Sequence, residues 1–309
     1  MMDAQIAGSQ AQTDILRSRS IFVSAPDGLR LHVRAWGPRT APGLPVVCLP
    51  GLARTTADFD TLAAVLTEAV PPPRAVYALD YRGRGRSEYD RDPANYSFAV
   101  ELADLVAVLT ALGIGRAVFV GTSRGGLLTM LLASARPGVI AGAVLNDIGP
   151  VIEPKGLVRI KGYVGKLPQP TSFDDAATVL RRLFGAQFPA LTADEWRAFA
   201  HRTFDERDGQ LVPNYDPRLA ETLRGVDVER PLPALWNEFE ALAAMPVLVI
   251  RGANSDILSP ATVKAMRAHH KALKSIEVPD QGHAPLLAER ELIGRIQAFI
   301  ESCEPQPRR

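Results

Sequence analysis

Residues 116–134 read Arg116-Ala-Val-Phe-Val-Gly121-Thr122-Ser123-Arg124-Gly125-Gly-Leu-Leu-Thr-Met-Leu-Leu-Ala-Ser134. A short apolar run of strand character passes through five residues, Gly121 to Gly125, into a run of helical character. A strand that turns this abruptly into a helix pushes the Ser123 side chain into a strained, exposed position. The flanking glycines fit that turn, because a Cβ at either place would meet the adjoining strand or helix. The helix N-terminus and its free amide groups then face whatever Ser123 attacks. These are the parts an acyl-transfer nucleophile requires. A pentapeptide is short enough to arise by chance, so the rest of the chain has to supply a base, an acid and a matching context.

Working outward, short apolar runs alternate with amphipathic ones. Strand candidates are Pro45–Leu49, Ala75–Asp80, Ala117–Gly121, Ile140–Asn146, Pro246–Arg251 and Ser275–Pro279. Their unbroken hydrophobicity is that of strands covered on both faces, as in a parallel sheet. Ahead of them, Ile21–Ala25 and Leu29–Trp36 flank Asp27-Gly28 and predict a hairpin. Between the strands, Phe98, Leu102, Leu105, Val106, Leu109 and Leu112 form a helical stripe, with Ser97 as N-cap and Gly113 as stop. Ser259-Pro260 opens a second helix, and Leu292, Ile293, Ile296, Phe299 and Ile300 mark the last. Strand–helix alternation of this kind predicts a doubly wound α/β fold with a mostly parallel sheet.

The alternation lapses between 151 and 240, where the sequence offers helical segments (Gly156–Lys166, Phe173–Phe184, Thr192–Phe204, Pro217–Arg224) and no strand-like run. Ten of the chain's twenty aromatic residues lie there. Most of them suit the core of a small helical insertion, and some suit the wall of a pocket beneath it. The expected organisation is a flexible tail over 1–19, a core over 20–150 and 241–302, a helical insertion over 151–240 and a short tail over 303–309.

Composition narrows the function. The 309 residues are 47% hydrophobic and 22% charged, with a formal net charge of +1, which gives no electrostatic reason to expect nucleic acid or an anionic membrane as partner. No run reaches the ~18 apolar residues of a membrane span. The N-terminal residues lack the apolar centre of a signal peptide. Cys48 and Cys303 lie far apart in sequence, one in an apolar strand and one near the end. This argues against a disulfide and for a cytoplasmic location.

A serine hydroxyl is barely ionised at neutral pH and needs a general base. His283, in Gln281-Gly-His283-Ala-Pro285, follows the last strand candidate and so sits at the same sheet edge as Ser123, where open α/β sheets build their sites. His32, His201, His269 and His270 lie within strand or helix patterns instead. The base needs a carboxylate to fix its tautomer. Asp256, in the loop after Pro246–Arg251, is the first choice, and Asp147, after Ile140–Asn146, is the alternative. The backbone N–H groups of Arg124 and Leu52 are the candidate oxyanion donors. The Arg124 side chain could steer an acidic substrate, but an exposed first-turn arginine is commonly just solvated. No metal-ligand pattern and no cofactor motif is present.

These segments together resemble the α/β-hydrolase-fold serine hydrolases, in the subgroup with a helical lid inserted after the sixth strand. The resemblance rests on Gly121–Gly126, Leu49-Pro-Gly-Leu52, Asp80-Tyr-Arg-Gly-Arg-Gly-Arg-Ser87, Arg251–Asp256 and Gly282-His283, and spans residues 20–302. Asp80–Ser87 matches a segment that shapes the loop beside the nucleophile in such proteins. The chain departs from relatives in having Pro50 where His is usual and Arg124 where Met is common, and neither change removes a backbone donor. Serine as nucleophile separates it from the dehalogenases and epoxide hydrolases of the same fold, which need an aspartate. The resemblance implies a cofactor-independent carboxylic-ester hydrolase acting on a small-molecule ester or lactone of short to medium acyl chain, aliphatic polyesters included. An apolar lid pocket favours uncharged substrates. Lactonase, carbon–carbon hydrolase, acyltransferase and perhydrolase chemistry use the same residues. A non-catalytic binding member of the fold would be expected to have lost one of the three.

Overall fold

A computed structural model describes residues 18–68, 74–225, 227 and 232–305. Eight strands form one sheet: β1 (Arg19–Ser24), β2 (Arg30–Trp36), β3 (Val46–Leu49), β4 (Val76–Asp80), β5 (Ala117–Thr122), β6 (Ile140–Asn146), β9 (Val247–Gly252) and β10 (Lys274–Val278). Their spatial order is β1-β2-β4-β3-β5-β6-β9-β10. The β1–β2 hairpin and the β2–β4 pair are antiparallel, and from β4 to β10 every pairing is parallel. All residues of β3, β4, β6 and β9 are buried, which is why those strands read as continuous apolar runs.

Alternate side chains of each strand feed two separate cores. Val46, Cys48, Val118 and Val120 pack with Leu62 and Leu66 of α1 (Asp60–Glu68) and with Ile293, Ile296 and Ile300 of α9 (Arg290–Ser302). Val47, Leu49 and Phe119 face the other way, against Leu105 and Leu109 of α2 (Phe98–Leu112), Leu128 and Leu132 of α3 (Arg124–Ala135) and Val263 and Met266 of α8 (Pro260–His269). Each fully buried Val, Leu or Phe contributes about 1.5–3 kcal/mol of transfer free energy, so the layered pattern locks the sheet's register. Ser97 caps α2 by accepting from the Val100 amide, and Gly113 ends it with φ 69°. Ser259 caps α8 ahead of Pro260. Both match the sequence expectation.

Between β6 and β9 the chain forms α4 (Pro154–Tyr163), α5 (Phe173–Phe184), α6 (Ala193–His201), a 3-10 turn at Pro217–Leu223 and α7 (Trp236–Glu240). Leu180, Phe184, Phe188, Trp196 and Phe199 make a third, local core. One expectation fails in this insertion. Phe204–Arg207 and Gln210–Pro213 are the strands β7 and β8 of an antiparallel hairpin. The tight turn is Asp208-Gly209, with φ 51° and 73°. Two successive positive φ values are what an Asp-Gly hairpin turn supplies, and the strands are too polar to be seen by hydrophobicity alone.

The expected N-terminal tail lies almost wholly outside the described residues. The expected C-terminal tail needs correcting at its start. Cys303 is buried, and Glu304 Oε1 accepts from Arg74 Nη1 at 2.7 Å and from the Leu44 amide at 2.9 Å. A buried thiol and a paired carboxylate dock this segment beside β3.

Candidate active site

Ser123 stands between β5 and α3 with φ 51° and ψ −113°. A non-glycine residue in this region costs of order 1–3 kcal/mol, and its neighbours hold it there. The Ser123 amide donates to Asn146 O at 3.0 Å, and its carbonyl accepts from the amides of Gly126 and Leu127. A Cβ at Gly121 would lie 2.5 Å from the Gly125 backbone, and one at Gly125 would overlap the Leu49 carbonyl. The close approach of β3, β5 and α3 thus forces glycine on both sides of the serine and thrusts the hydroxyl out of the sheet edge.

His283, on the loop between β10 and α9, meets that hydroxyl. Its Nε2 is 2.8 Å from Ser123 Oγ, and its Nδ1 is 2.8 Å from Asp147 Oδ2. A carboxylate can only accept, so Nδ1 carries the proton and Nε2 is left to accept from the serine. The His283 amide donates to Gln187 Oε1 at 3.0 Å, which ties the loop to the insertion. Asp147 is wholly buried at the C-terminal end of β6, with φ 56°. Its Oδ1 accepts from the Gly252 amide at 2.8 Å, and its Oδ2 also accepts from Ser255 Oγ at 2.5 Å. These two donors satisfy a carboxylate that burial alone would penalise heavily.

The first-choice acid of the sequence reading, Asp256, makes no hydrogen bond to His283. Arg159, reaching over from α4, grips both of its oxygens, Nε to Oδ2 at 2.7 Å and Nη2 to Oδ1 at 2.8 Å. Burial pushes the Asp256 carboxyl up, but Arg159 and Gln187 outweigh it and hold the group below its ordinary range. The alternative carboxylate, Asp147, is the one that faces the imidazole. Both aspartates follow neighbouring strands, β6 and β9, and an arginine supplied by the insertion holds Asp256 instead.

Of the two expected backbone donors, Leu52 lines the same cavity as Ser123 and Arg124 follows Ser123 in the chain. Arg124 is the first residue of α3, where an amide has no intrahelical acceptor. Leu52 follows β3 in the loop Pro50-Gly51-Leu52, and its carbonyl accepts from Arg84 Nε at 2.8 Å. Tyr81 Oη donates to Pro50 O at 3.3 Å.

The Arg124 side chain is not the solvated residue expected. It is buried, its Nε donates to Glu101 Oε2 at 2.6 Å, its Nη2 donates to Tyr96 O at 3.0 Å, and it lies 4.0 Å over the Phe98 ring. Glu101 also meets Arg84 Nη1 at 2.8 Å. Burial would raise the Glu101 carboxyl, but the two guanidinium groups hold it below its ordinary value and ionised.

The Asp80–Ser87 segment is hydrogen-bonded into the fold, with Arg82 on Asp104 and Arg84 on the Leu52 carbonyl. Asp80 accepts from the Thr56 and Arg86 amides and faces His32 Nδ1 at 2.7 Å.

Ser123 and His283 open on a cavity of about 230 Å³, below the ~300–1,000 Å³ usual for drug-sized ligands. Its far wall is apolar, with Ile160, Leu180, Phe184 and Phe188 from the insertion. Beside them sit Arg54, Asp58 and Arg202. The sequence reading passed over these polar groups, along with Arg159, Gln187 and Glu101, because isolated charged residues in helical or loop patterns ordinarily face solvent. Among the described residues no cluster of His, Cys, Asp and Glu is arranged to hold a metal ion.

A mostly parallel sheet flanked by helices, with a serine on a strand-to-helix turn and a histidine loop at the same edge, defines an α/β hydrolase. The chain belongs to the alpha/beta hydrolase family, whose model matches residues 46–295. It is 36% identical over 284 residues to the 3-hydroxybutyrate-oligomer hydrolase of Cupriavidus necator, covering 89% of this chain and 94% of that one. It is 27% identical over 234 residues to the 2-(acetamidomethylene)succinate hydrolase of Mesorhizobium japonicum, covering 75% and 79%. The crystal structure of an alpha/beta hydrolase from Novosphingobium aromaticivorans superimposes with a TM-score of 0.83 at 41% identity, covering 92% of this chain and 98% of that one. The protein is a hydrolase of this family.

Proposed function

We propose that the protein is a serine hydrolase of carboxylic esters, with Ser123, His283 and Asp147 as its catalytic triad. The observation that carries this reading is the continuous chain from Asp147 Oδ2 through His283 to Ser123 Oγ, with both links at 2.8 Å, opening on the cavity. Ser123 Oγ attacks the ester carbonyl as His283 Nε2 takes its proton, and Asp147 steadies the imidazolium. The Leu52 and Arg124 amides receive the negative charge that develops on the carbonyl oxygen. When the carbon–oxygen bond to the alcohol breaks, His283 returns the proton to the leaving oxygen. Water, activated by His283 in turn, then adds to the acyl-enzyme and releases the acid.

The insertion serves as a lid that roofs the acyl site, and the small cavity favours short to medium chains. The Cupriavidus relative supports esters of small hydroxy acids as the first substrates to try, and both named relatives act on compounds that carry carboxylates. Two free, buried thiols, Cys48 and Cys303, suit a reducing compartment such as the cytoplasm.

The test is hydrolysis of p-nitrophenyl acetate, butyrate and octanoate, together with labelling by a fluorophosphonate. Turnover and labelling are expected with the wild type, and both are lost in Ser123→Ala. Undiminished turnover in that variant sinks the mechanism.

A further inference from the structure

The cavity wall beside Ser123 carries two arginines, and they are in different states. Arg54 is fully committed. Its Nε and Nη2 grip Asp58 at 2.8 and 2.5 Å, and its Nη1 donates to Thr203 Oγ1 at 2.7 Å. Both Asp58 oxygens are thereby occupied. Arg202, just past the end of α6, lies 3.7 Å from Asp58 and is a quarter exposed. No side chain or carbonyl among the described residues accepts a hydrogen bond from its guanidinium, which packs 5.8 Å from the Phe199 ring.

The acids around it are held by other partners. Arg34 is paired with Asp60 at 2.7 Å, and Arg54 with Asp58. The groups facing Arg202 are Asp58, Asp60 and Glu195, opposed by Arg54. With Arg34 and Arg54 bonded to Asp60 and Asp58, and Glu195 accepting from the Thr192 amide and hydroxyl, Arg202 is the one cation of these six groups without a hydrogen-bonded acceptor. Desolvation pulls the Arg202 guanidinium below its ordinary value, and these acids only partly offset it. A partly desolvated fork of five donors without acceptors is an incomplete ion pair, and it lines the same cavity as Ser123 and His283.

We infer that Arg202 binds a free carboxylate of the substrate, so that the enzyme selects acidic esters, such as hydroxy-acid oligomers ending in a carboxylate, over their neutral counterparts. This deepens the ester-hydrolase reading and rests on it. It also reverses the expectation of uncharged substrates drawn from an apolar lid, because beside the apolar helical wall the pocket presents the guanidinium donors of Arg202. A guanidinium holds a carboxylate through two parallel N–H···O bonds, and such charge-assisted contacts lose most of their value when either partner is removed.

The test compares the linear dimer of 3-hydroxybutyrate as the free acid and as its methyl ester, with wild type, Arg202→Gln, Arg202→Lys and Ser123→Ala. The wild type is expected to show the higher kcat/KM on the acid. In Arg202→Gln the acid-to-methyl-ester ratio of kcat/KM falls by about tenfold to a hundredfold, the range for hydrogen bonds to charged groups, mainly through KM. Arg202→Lys restores part of that ratio. In titration calorimetry, Ser123→Ala binds the acid dimer, and Ser123→Ala with Arg202→Gln binds it at least tenfold more weakly.

A ratio unchanged by Arg202→Gln, or a wild type that prefers the methyl ester or turns over neither dimer, overturns the inference. The two failures separate cleanly. Turnover that depends on Ser123 but not on Arg202 leaves the esterase reading standing, whereas turnover that survives Ser123→Ala removes the esterase reading itself.

Discussion

Glu101 and Arg124 form a buried ion pair, Oε2 to Nε at 2.6 Å, immediately behind the nucleophile. Arg124 follows Ser123 in the chain and offers one of the two candidate oxyanion amides. The same carboxylate meets Arg84 at 2.8 Å, and Arg84 in turn holds the carbonyl of Leu52, which offers the other. Glu101, on α2, is therefore linked through one arginine each to both residues whose amides are proposed to bind the oxyanion. Replacing either arginine's charge would leave a buried group unpaired, so the three side chains act as one unit.

Glu101→Gln or Glu101→Ala should therefore damage stability and catalysis together. Removing one partner of a buried charge network costs about 3–5 kcal/mol, and two guanidiniums are orphaned here. Urea denaturation should show the loss of stability. In whatever fraction folds, kcat for p-nitrophenyl butyrate should drop more than KM rises, because the amides are misplaced relative to the transition state rather than to the bound ester. A variant with wild-type midpoint and wild-type kcat would show that the network is idle.

Gly125 is the tightest point of the serine turn, since an added Cβ overlaps the Leu49 carbonyl of β3. Backbone cannot yield as a side-chain tip can, so Gly125→Ala must push α3 off the sheet or move Ser123. Loss of fluorophosphonate labelling and a destabilisation of several kcal/mol, at the severe end of single substitutions, are expected. Gly138→Ala, which meets nothing within 4 Å and is not at positive φ, serves as the control and should stay within about 0.5 kcal/mol of wild type.

Acid should unfold the protein, and the direction follows from the carboxylates. Asp27, Asp90, Glu101, Asp216 and Asp256 are held below their ordinary values. Burial pushes all five up, and in four of them it is the largest single effect, but hydrogen bonds and arginines together outweigh it; in Asp27 the Arg82 hydrogen bond is itself the largest effect. A depressed carboxyl contributes stability that is full above its unfolded value and is lost as pH falls through the folded one. Asp60 and Asp104 shift the other way, because burial outweighs Arg34 and Arg82, and so oppose the trend. Five against two leaves a net loss below about pH 4.5, at up to roughly 1.4 kcal/mol per pH unit for each net proton taken up. Urea midpoints measured from pH 6 down to 3.5 check the slope, and stability that rises on acidification would contradict it.

Both thiols should be inert in the native protein. Burial raises Cys48 on β3 well above the ordinary thiol range and pushes Cys303 up to about 11. At pH 8 the Cys303 thiolate is then about a thousandth of the total, and the thiolate is the reactive form. An aromatic disulfide reagent should find no thiol over minutes in buffer and two in 6 M guanidinium. Fast labelling of the native protein would show that the segment around Cys303 opens.

The sheet was legible because burial on both faces writes an unbroken apolar run. β6 matches its sequence reading at both ends; β3, β4 and β5 differ from theirs by one residue at one end, and β9 and β10 by one residue at each end. Ser123 and His283 were legible as residue types at strand ends. What stayed hidden depended on side chains meeting across long separations. Arg124 looked like any first-turn arginine until Glu101, on a different helix, came beneath it. The β7–β8 hairpin carried its Asp208-Gly209 turn in plain view, but its strands had too little apolar alternation to outweigh the helical pattern around them. Arg202 had no signature at all, since its state is set by Arg54 having taken both oxygens of Asp58.

The choice between Asp147 and Asp256 is the hardest of these, and it has a decisive experiment. Both carboxylates end adjacent parallel strands, so spacing cannot separate them. Asp147 meets His283 Nδ1 and is held by Gly252 and Ser255, while Asp256 is clamped by Arg159. Asp147→Asn keeps the shape but offers an amide where the imidazole needs an acceptor, which favours the wrong tautomer, and a loss of roughly 10³–10⁴-fold in kcat is expected. Asp256→Asn loosens α4 and leaves the His283–Asp147 contact in place. It should cost less than about tenfold in kcat, with its main effect on KM through the lid. Burst kinetics with p-nitrophenyl butyrate would compare the two directly. If Asp256→Asn proves the more damaging, the carboxylates exchange partners during turnover and the triad assigned here is wrong.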